Sequence, residues 1–293
     1  MLQPYESIEV QPEEGGFGAR VSGLRLDAPL APAVVAEIRR AWAEHAVLVF
    51  PDQPLDHAGL ERFSAAIGPF GEDPYLGSLA DHPHIVELAR EPEEKSYVFG
   101  AAWHSDWSFQ QAPPSATILH AKEVPPVGGD TLFADTRAAF DALDDDLKER
   151  LHGLCAVHSA AAAYGPQGIL QTDPNPSTTK IIISETACVR RSHPMLRLHQ
   201  ESGRTALYVN PVYTTEIEGM EAAASRDLLG VLYLHLVKEE FIYCHRWQPQ
   251  MLVMWDNRVA LHQAQGGYEG HRRLMHRTTI QGEVPQPAER EQA

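Results

Sequence analysis

Proline and glycine, 22 and 21 residues respectively, punctuate this 293-residue chain from end to end without gathering into a linker, and no internal repeat appears. Each fixes or frees the backbone where it stands, so the apolar runs between them must be short. The pattern predicts a single domain, residues 1–293, with many turns. Helical spacing shows in Pro32–His45, where Val35, Ile38 and Trp42 share a face, and in Asp56–Ile67, where Leu60, Phe63 and Ile67 do so. A third helix is expected from a cap at Asp135 or Thr136 through to Leu151. The longest is expected over Glu221–Lys238, with Leu228, Leu232 and Leu236 four apart. Strand candidates are Ala46–Phe50, His84–Ala89, Ala116–Val124, Ala206–Asn210, Met251–Trp255, Val259–Gln263 and Leu274–Gly282, most of them bounded by Pro, Gly, Asp or Asn. Helices and strands do not alternate as a βαβ sheet requires. The order suits a mainly β, α+β architecture: an antiparallel sandwich or barrel flanked by helices. Within 160–194 the stretch YGPQGILQTDPNPSTTK has no clear pattern, and a long irregular segment of this kind is expected to be a lid over a site.

Charge narrows the partners. Lys and Arg number 24 against 40 Asp and Glu, a net charge of −16, which repels nucleic-acid phosphates and anionic lipid. Neither is an expected partner. No apolar stretch approaches the ~18 residues of a spanning helix, and Met1–Glu9 lacks a basic start followed by an apolar core, so a cytoplasmic protein is expected. Cys155, Cys188 and Cys244 are odd in number and contain no C-x-x-C, which argues for free, mostly buried thiols.

With 15 histidines, a site must be picked out by spacing. In Trp103-His104-Ser105-Asp106-Trp107, a strand would turn the His104 imidazole and the Asp106 carboxylate to the same side. One carboxylate and one imidazole, completed by a distant histidine, make the facial triad of non-haem Fe(II) sites, which leaves three positions free. By itself H-x-D arises readily by chance. A second histidine, His262, ends the apolar run Val259-Ala260-Leu261 after the Asp256-Asn257 turn, where core histidines without a ligand role are also common. In His271–Thr279, alternation puts Arg273, Met275, Arg277 and Thr279 on one face. Two arginines four residues apart on a strand, ~13 Å of rise, can grip two anionic groups. Thr131, in Gly128-Gly129-Asp130-Thr131 after Pro125-Pro126, could offer a hydroxyl to a bound carboxylate.

Taken in order, WHSDWSF, P-P-S-A-T, GGDT, LYVN, WDNR-x3-H and HRRLMHRTT resemble the TauD/TfdA family of Fe(II)- and 2-oxoglutarate-dependent dioxygenases, from about Ile8 to Gly282. The intervals between His104 and Thr131, and from His262 to Arg273 and Arg277, agree as well. The resemblance implies a double-stranded β-helix, or jelly roll, with helices packed outside. It implies that His104, Asp106 and His262 hold Fe(II), that Arg273 with Thr131 grips the distal carboxylate of 2-oxoglutarate, and that Arg277 lies near the C1 carboxylate and an anionic group of the substrate. It also implies an O2-dependent hydroxylation coupled to conversion of 2-oxoglutarate into succinate and CO2, and a homo-oligomer, dimer or tetramer.

The substrate residues depart from the taurine enzymes. Their sulfonate-binding histidine corresponds here to Tyr75 or to Asp73, and an asparagine before the His-x-Asp corresponds to Gly100. A carboxylate at Asp73 or Glu72 facing the pocket would repel a sulfonate. Tyr164 and Tyr213 keep the two aromatic positions. A small organic acid such as an alkyl sulfonate, sulfate ester or aryloxyalkanoate is therefore the expected substrate, with taurine itself as the alternative. A silent jelly-roll binding protein would need only the fold, but all three ligands are present. A zinc hydrolase would need no co-substrate arginine, and a halogenase would lack Asp106.

Overall fold

The computed structural model describes residues 4–14 and 16–289. In chain order the first elements are β1 (Glu9–Pro12), β2 (Ala19–Ser22), α1 (Pro32–His45), β3 (Val47–Phe50), α2 (His57–Ile67), β4 (Ser78–Leu79), β5 (His82–Arg90), β6 (Ala116–Glu123) and β7 (Thr131–Asp135). There follow α3 (Thr136–Asp141), α4 (Asp145–Leu151), β8 (Cys155–Ser159), α5 (Ala161–Tyr164), α6 (Ile169–Thr172), β9 (Arg190–Pro194), β10 (Leu196–His199), β11 (Arg204–Leu207) and β12 (Thr214–Ile217). The chain closes with α7 (Ala222–Leu236), β13 (Ile242–His245), β14 (Leu252–Asp256), β15 (Ala260–Ala264) and β16 (Arg273–Ile280).

Eight strands form one sheet in the order β1-β2-β3-β14-β6-β16-β5-β4, and three-stranded sheets run β13-β7-β15 and β12-β8-β9. All these pairs are antiparallel except β2 with β3. The strand period of two sorts the side chains of the large sheet. Leu48, Phe50, Ile118, Leu252, Met254 and Ile280 pack against Ile38, Trp42, Leu60 and Phe63 of α1 and α2. Their neighbours Val47, Val49, Leu119, Val253, Trp255 and Met275 pack on the opposite face with Phe133 of β7. Both faces are thus covered, which is why the central strands read as unbroken apolar runs. A further core lies where α3, α4 and α7 meet β11 and β12, with Leu228, Leu232 and Leu236 at its centre.

Several expectations change. The helix proposed from Thr136 to Leu151 is two helices: Asp135 caps α3, and Asp144 starts α4 by accepting from Leu147 N at 2.7 Å. The strand expected to reach Asn210 leaves its ladder after Leu207, because the Asn210 side chain bonds to Tyr213 N instead and makes a turn. Trp103–Trp107 is not a ladder strand. It meets β15 through an isolated bridge of His104 with His262, and Trp107, buried at φ 50°, turns the chain sharply just after Asp106. Segment 160–194 carries α5, α6 and β9 rather than an unpatterned loop. The three thiols are free, but Cys188 and Cys244 are exposed, not buried. Among the described residues no helix is long and apolar enough to cross a membrane.

Candidate active site

The bridge between His104 and His262 is a matched pair of backbone hydrogen bonds, at 3.0 and 2.8 Å, and it sets the two imidazoles side by side, tilted by 44° with ring centroids 4.2 Å apart. Asp106 Oδ1 lies 3.5 Å from His104 Nε2 and 3.8 Å from His262 Nε2. Among the described residues these form the one set of three or more His, Cys, Asp or Glu side chains able to hold a metal, with ligand atoms within 4.8 Å of one another and all three residues buried. His104 Nδ1 donates to Ala102 O at 2.8 Å, which leaves the Nε2 lone pair turned toward Asp106.

Residues given no role in the chemistry from sequence hold that geometry. Thr117 on β6 donates to Asp106 Oδ2 at 2.6 Å, and Asn257 Nδ2 donates to the Thr117 hydroxyl at 2.9 Å. Trp255 Nε1 donates to Asn257 Oδ1 at 3.0 Å, and the Ser105 hydroxyl donates to Asn257 O at 2.6 Å. The Asn257 read from sequence as a turn former is the brace of the His-x-Asp segment. Burial alone would raise the Asp106 pKa, but the Arg277 guanidinium, 3.2 Å away, and then the two imidazoles reverse this and hold it well below the usual carboxylate range. Burial, reinforced by His104, lowers the His262 pKa to about 3. Asp106 therefore presents an anion and His262 a neutral nitrogen, the forms that ligate a divalent cation.

Arg273 and Thr131 line one cavity, of about 70 Å³, together with His104, His262, Leu119, Trp255, Tyr268 and Arg277. The Arg273 guanidinium sits 5.9 Å from the Trp247 ring, and Trp247 Nε1 donates to the Thr131 hydroxyl at 3.0 Å. Its buried Nε has no partner, so a donor is free for a carboxylate. Gly129, beside this arginine, takes a positive φ of 70°, a left-handed conformation that favours glycine.

A second cavity, of about 300 Å³, opens on the other side of His104 and Gly100. Tyr97, Val98, Phe99, Ala163, Tyr164, Ile169, Leu170, Val212 and Tyr213 make up most of its wall. Among the described residues His104 is the one histidine in its wall, and no Asp, Glu, Lys or Arg lines it. Burial raises the pKa of both Tyr164 and Tyr213 well above the ordinary phenol value, so both remain neutral hydroxyls. Tyr213 is placed by the Asn210 turn, with Asn210 Nδ2 donating to Ser108 Oγ at 2.9 Å. Gly100 does line the cavity, and at φ 76° it holds a conformation an asparagine would adopt only under strain. Tyr75 does not line it. Its ring stacks behind Tyr164 at 5.1 Å and its hydroxyl contacts Thr186. Glu72 is exposed, whereas Asp73 is turned inward onto Arg277. Trp107, Thr117, Trp247 and Asn257 were given no site role from sequence, although Trp107 lies within WHSDWSF, Thr117 within P-P-S-A-T and Asn257 within WDNR.

Three buried ligands on a strand-rich scaffold, one open side and an adjacent arginine pocket define a non-haem iron oxygenase that takes an anionic co-substrate. The model for the taurine catabolism dioxygenase TauD, TfdA family matches residues 9–279, and the chain belongs to that family. It is 34% identical over 288 residues to the alpha-ketoglutarate-dependent 2,4-dichlorophenoxyacetate dioxygenase of Cupriavidus pinatubonensis, covering 93% of this chain and 97% of that one. It is 31% identical to the alpha-ketoglutarate-dependent sulfate ester dioxygenase of Pseudomonas putida, covering 95% and 91%. Among solved structures, AAD-2 in complex with Mn(II) and N-oxalylglycine superposes with a TM-score of 0.82 at 29% identity, covering 96% of this chain and 99% of that one. The protein is an oxidoreductase, a dioxygenase dependent on 2-oxoglutarate (alpha-ketoglutarate) that uses Fe(II) and O2, and His104, Asp106 and His262 fit the metal.

Proposed function

We propose that this dioxygenase hydroxylates a small organic acid with an apolar body, of the aryloxyalkanoate class, on a double-stranded β-helix formed by the large sheet and the β13-β7-β15 sheet facing it. His104, Asp106 and His262 hold Fe(II); Arg273 and Thr131 hold the far carboxylate of 2-oxoglutarate; Arg277 lies where the C1 carboxylate and the acid group of the substrate meet. The observation that carries the substrate class is the second cavity. Its aliphatic and aromatic wall, reached from His104, suits an aryl or long alkyl group better than the short polar chain of taurine.

Bound iron with 2-oxoglutarate supplies the oxidising chemistry, in which O2 is reduced as 2-oxoglutarate becomes succinate and CO2 and a substrate C–H bond is hydroxylated. The chain's own work is positioning. Thr117 and Asn257 keep Asp106 in place, Arg273 and Thr131 orient the co-substrate, and Tyr164 and Tyr213 shield the reacting face from water. Segment 160–194 acts as the lid. Thr179 both accepts from Ala89 N at 3.1 Å and donates to Ala89 O at 3.0 Å, and Asp173 accepts from Tyr97 N at 2.8 Å, which brings Ile169 and Leu170 over the cavity.

An anaerobic titration with Fe(II) and then 2-oxoglutarate tests the site. A visible metal-to-ligand charge-transfer band is expected in the wild type and absent in His104→Ala; its persistence in that variant would refute the ligand assignment. Succinate release across aryloxyalkanoates, alkyl sulfates and sulfonates tests the substrate, and a preference for taurine would overturn the apolar-body reading.

A further inference from the structure

The geometry points to Asp73 as a specificity-determining residue that cancels the charge of Arg277 without using up its hydrogen-bond donors, an inference that rests on the acid-substrate reading above. Asp73 lies in the loop between α2 and β4, and three elements converge on its carboxylate. Trp107 Nε1 donates to Oδ1 at 2.8 Å, the Thr279 hydroxyl on β16 donates to Oδ2 at 3.1 Å, and Arg277 Nη2 stands 3.1 Å from Oδ1. The Asp73 side chain is 9% exposed and that of Arg277 4%, so the pair is enclosed and little screened by water.

Two features of the pair matter together. On its other side, Arg277 Nη1 lies 3.2 Å from Asp106, so one guanidinium stands between two carboxylates. Yet its Nε and Nη2 have no hydrogen-bond partner: the Asp73 contact has the distance of an ion pair but not the direction of a hydrogen bond. The guanidinium is therefore still a donor but no longer a strong point charge. It can bond a carboxylate, sulfate or neutral carbonyl oxygen alike, and the Coulombic advantage of an anion is largely removed. Arg277 lines the smaller cavity with Arg273, and among the described residues the apolar cavity that adjoins it at Phe99, Gly100 and His104 has no Lys or Arg in its wall to restore that advantage. Selection then falls on the apolar body of the substrate, and a compact anion with no such body is refused through Asp73.

Asp73→Asn keeps an oxygen for Trp107 Nε1 while removing the charge. In anaerobic equilibrium dialysis with the Fe(II)·2-oxoglutarate holoprotein, phenoxyacetate is compared with its neutral analogue phenoxyacetamide. The ratio of anion to amide affinity should rise at least tenfold in Asp73→Asn, and also in Asp73→Ser, which guards against a folding defect peculiar to one variant. Thr279→Val, which removes a hydrogen bond to Asp73 but no charge, should leave the ratio at the wild-type value. An unshifted ratio in the Asp73 variants, an equal shift in Thr279→Val, or no binding of phenoxyacetate to either Asp73 variant overturns the inference. Wild-type turnover decides the substrate class separately. A shifted ratio without succinate release from any acid sinks that class and spares Asp73, and turnover with an unshifted ratio does the reverse.

Discussion

Thr117, the last residue of the P-P-S-A-T stretch, shows how a site depends on residues to which the sequence assigned no role. Its hydroxyl is spent between Asp106 and Asn257, so Thr117→Val leaves the shape of the core and removes the bond that aims the carboxylate. Metal affinity is expected to fall ~10- to 100-fold with the fold intact, checked by Fe(II) or Mn(II) titration alongside circular dichroism. Arg273→Ala should raise the 2-oxoglutarate requirement ~10²-fold, the loss of a charge-assisted pair, measured as the KM for 2-oxoglutarate at saturating substrate. Arg273 and Thr131 were singled out, and His104, Asp106 and His262 were legible as a metal set, through motifs whose order and intervals resemble the family. Thr117, Trp247 and Asn257 were not, since their partners are brought to them by β-pairing between distant stretches. Tyr75 shows the converse: counting placed it in the pocket, and packing put it one layer behind Tyr164.

Elements were legible where a local rule was strong enough to act alone. Asp56 caps α2 by accepting from Gly59 N at 2.7 Å, as the Asp before an apolar-periodic run suggests. Asp56→Ala is expected to cost about 1 kcal/mol, seen as a lower urea midpoint with an unchanged slope. The stretch Thr136–Leu151 has enough helix formers for one element, but Asp144 accepts from the backbone of the following turn and starts a new helix. In a strand, His104 and Asp106 would face the same side. The segment around His104 has one bridge instead of a ladder, and the two side chains still converge, with Asp106 Oδ1 3.5 Å from His104 Nε2. The ligand pair forms without a strand ladder, since what the metal needs is convergence and not pleat.

At the scale of the molecule, burial writes a pH dependence into stability. Burial is the first cause lowering the pKa of His158 and His245 to about 3, and of His120 and His276 to about 4. All four are neutral when folded, and on unfolding they regain an ordinary pKa near 6.5 and bind protons. The folded state is thus favoured fully above about pH 6.5 and loses that advantage as pH falls toward 4. The Tm should be flat above pH 7 and roughly 5–10 °C lower at pH 5, with part of the drop removed in His245→Gln. None of this was visible in a count of 15 histidines, because a pKa shift belongs to surroundings and not to residue type. The sequence by itself carried the His-x-Asp motif, the distant His262 and the paired arginines Arg273 and Arg277 as a family resemblance, and the preference for antiparallel strands through the order and periodicity of its elements. Only the tertiary structure decided that Asp73 faces Arg277, that Tyr75 stands behind the cavity wall and that the cavity beside His104 is apolar. Those facts depend on which distant segments come into contact, and a one-dimensional pattern specifies which faces are buried without specifying against what.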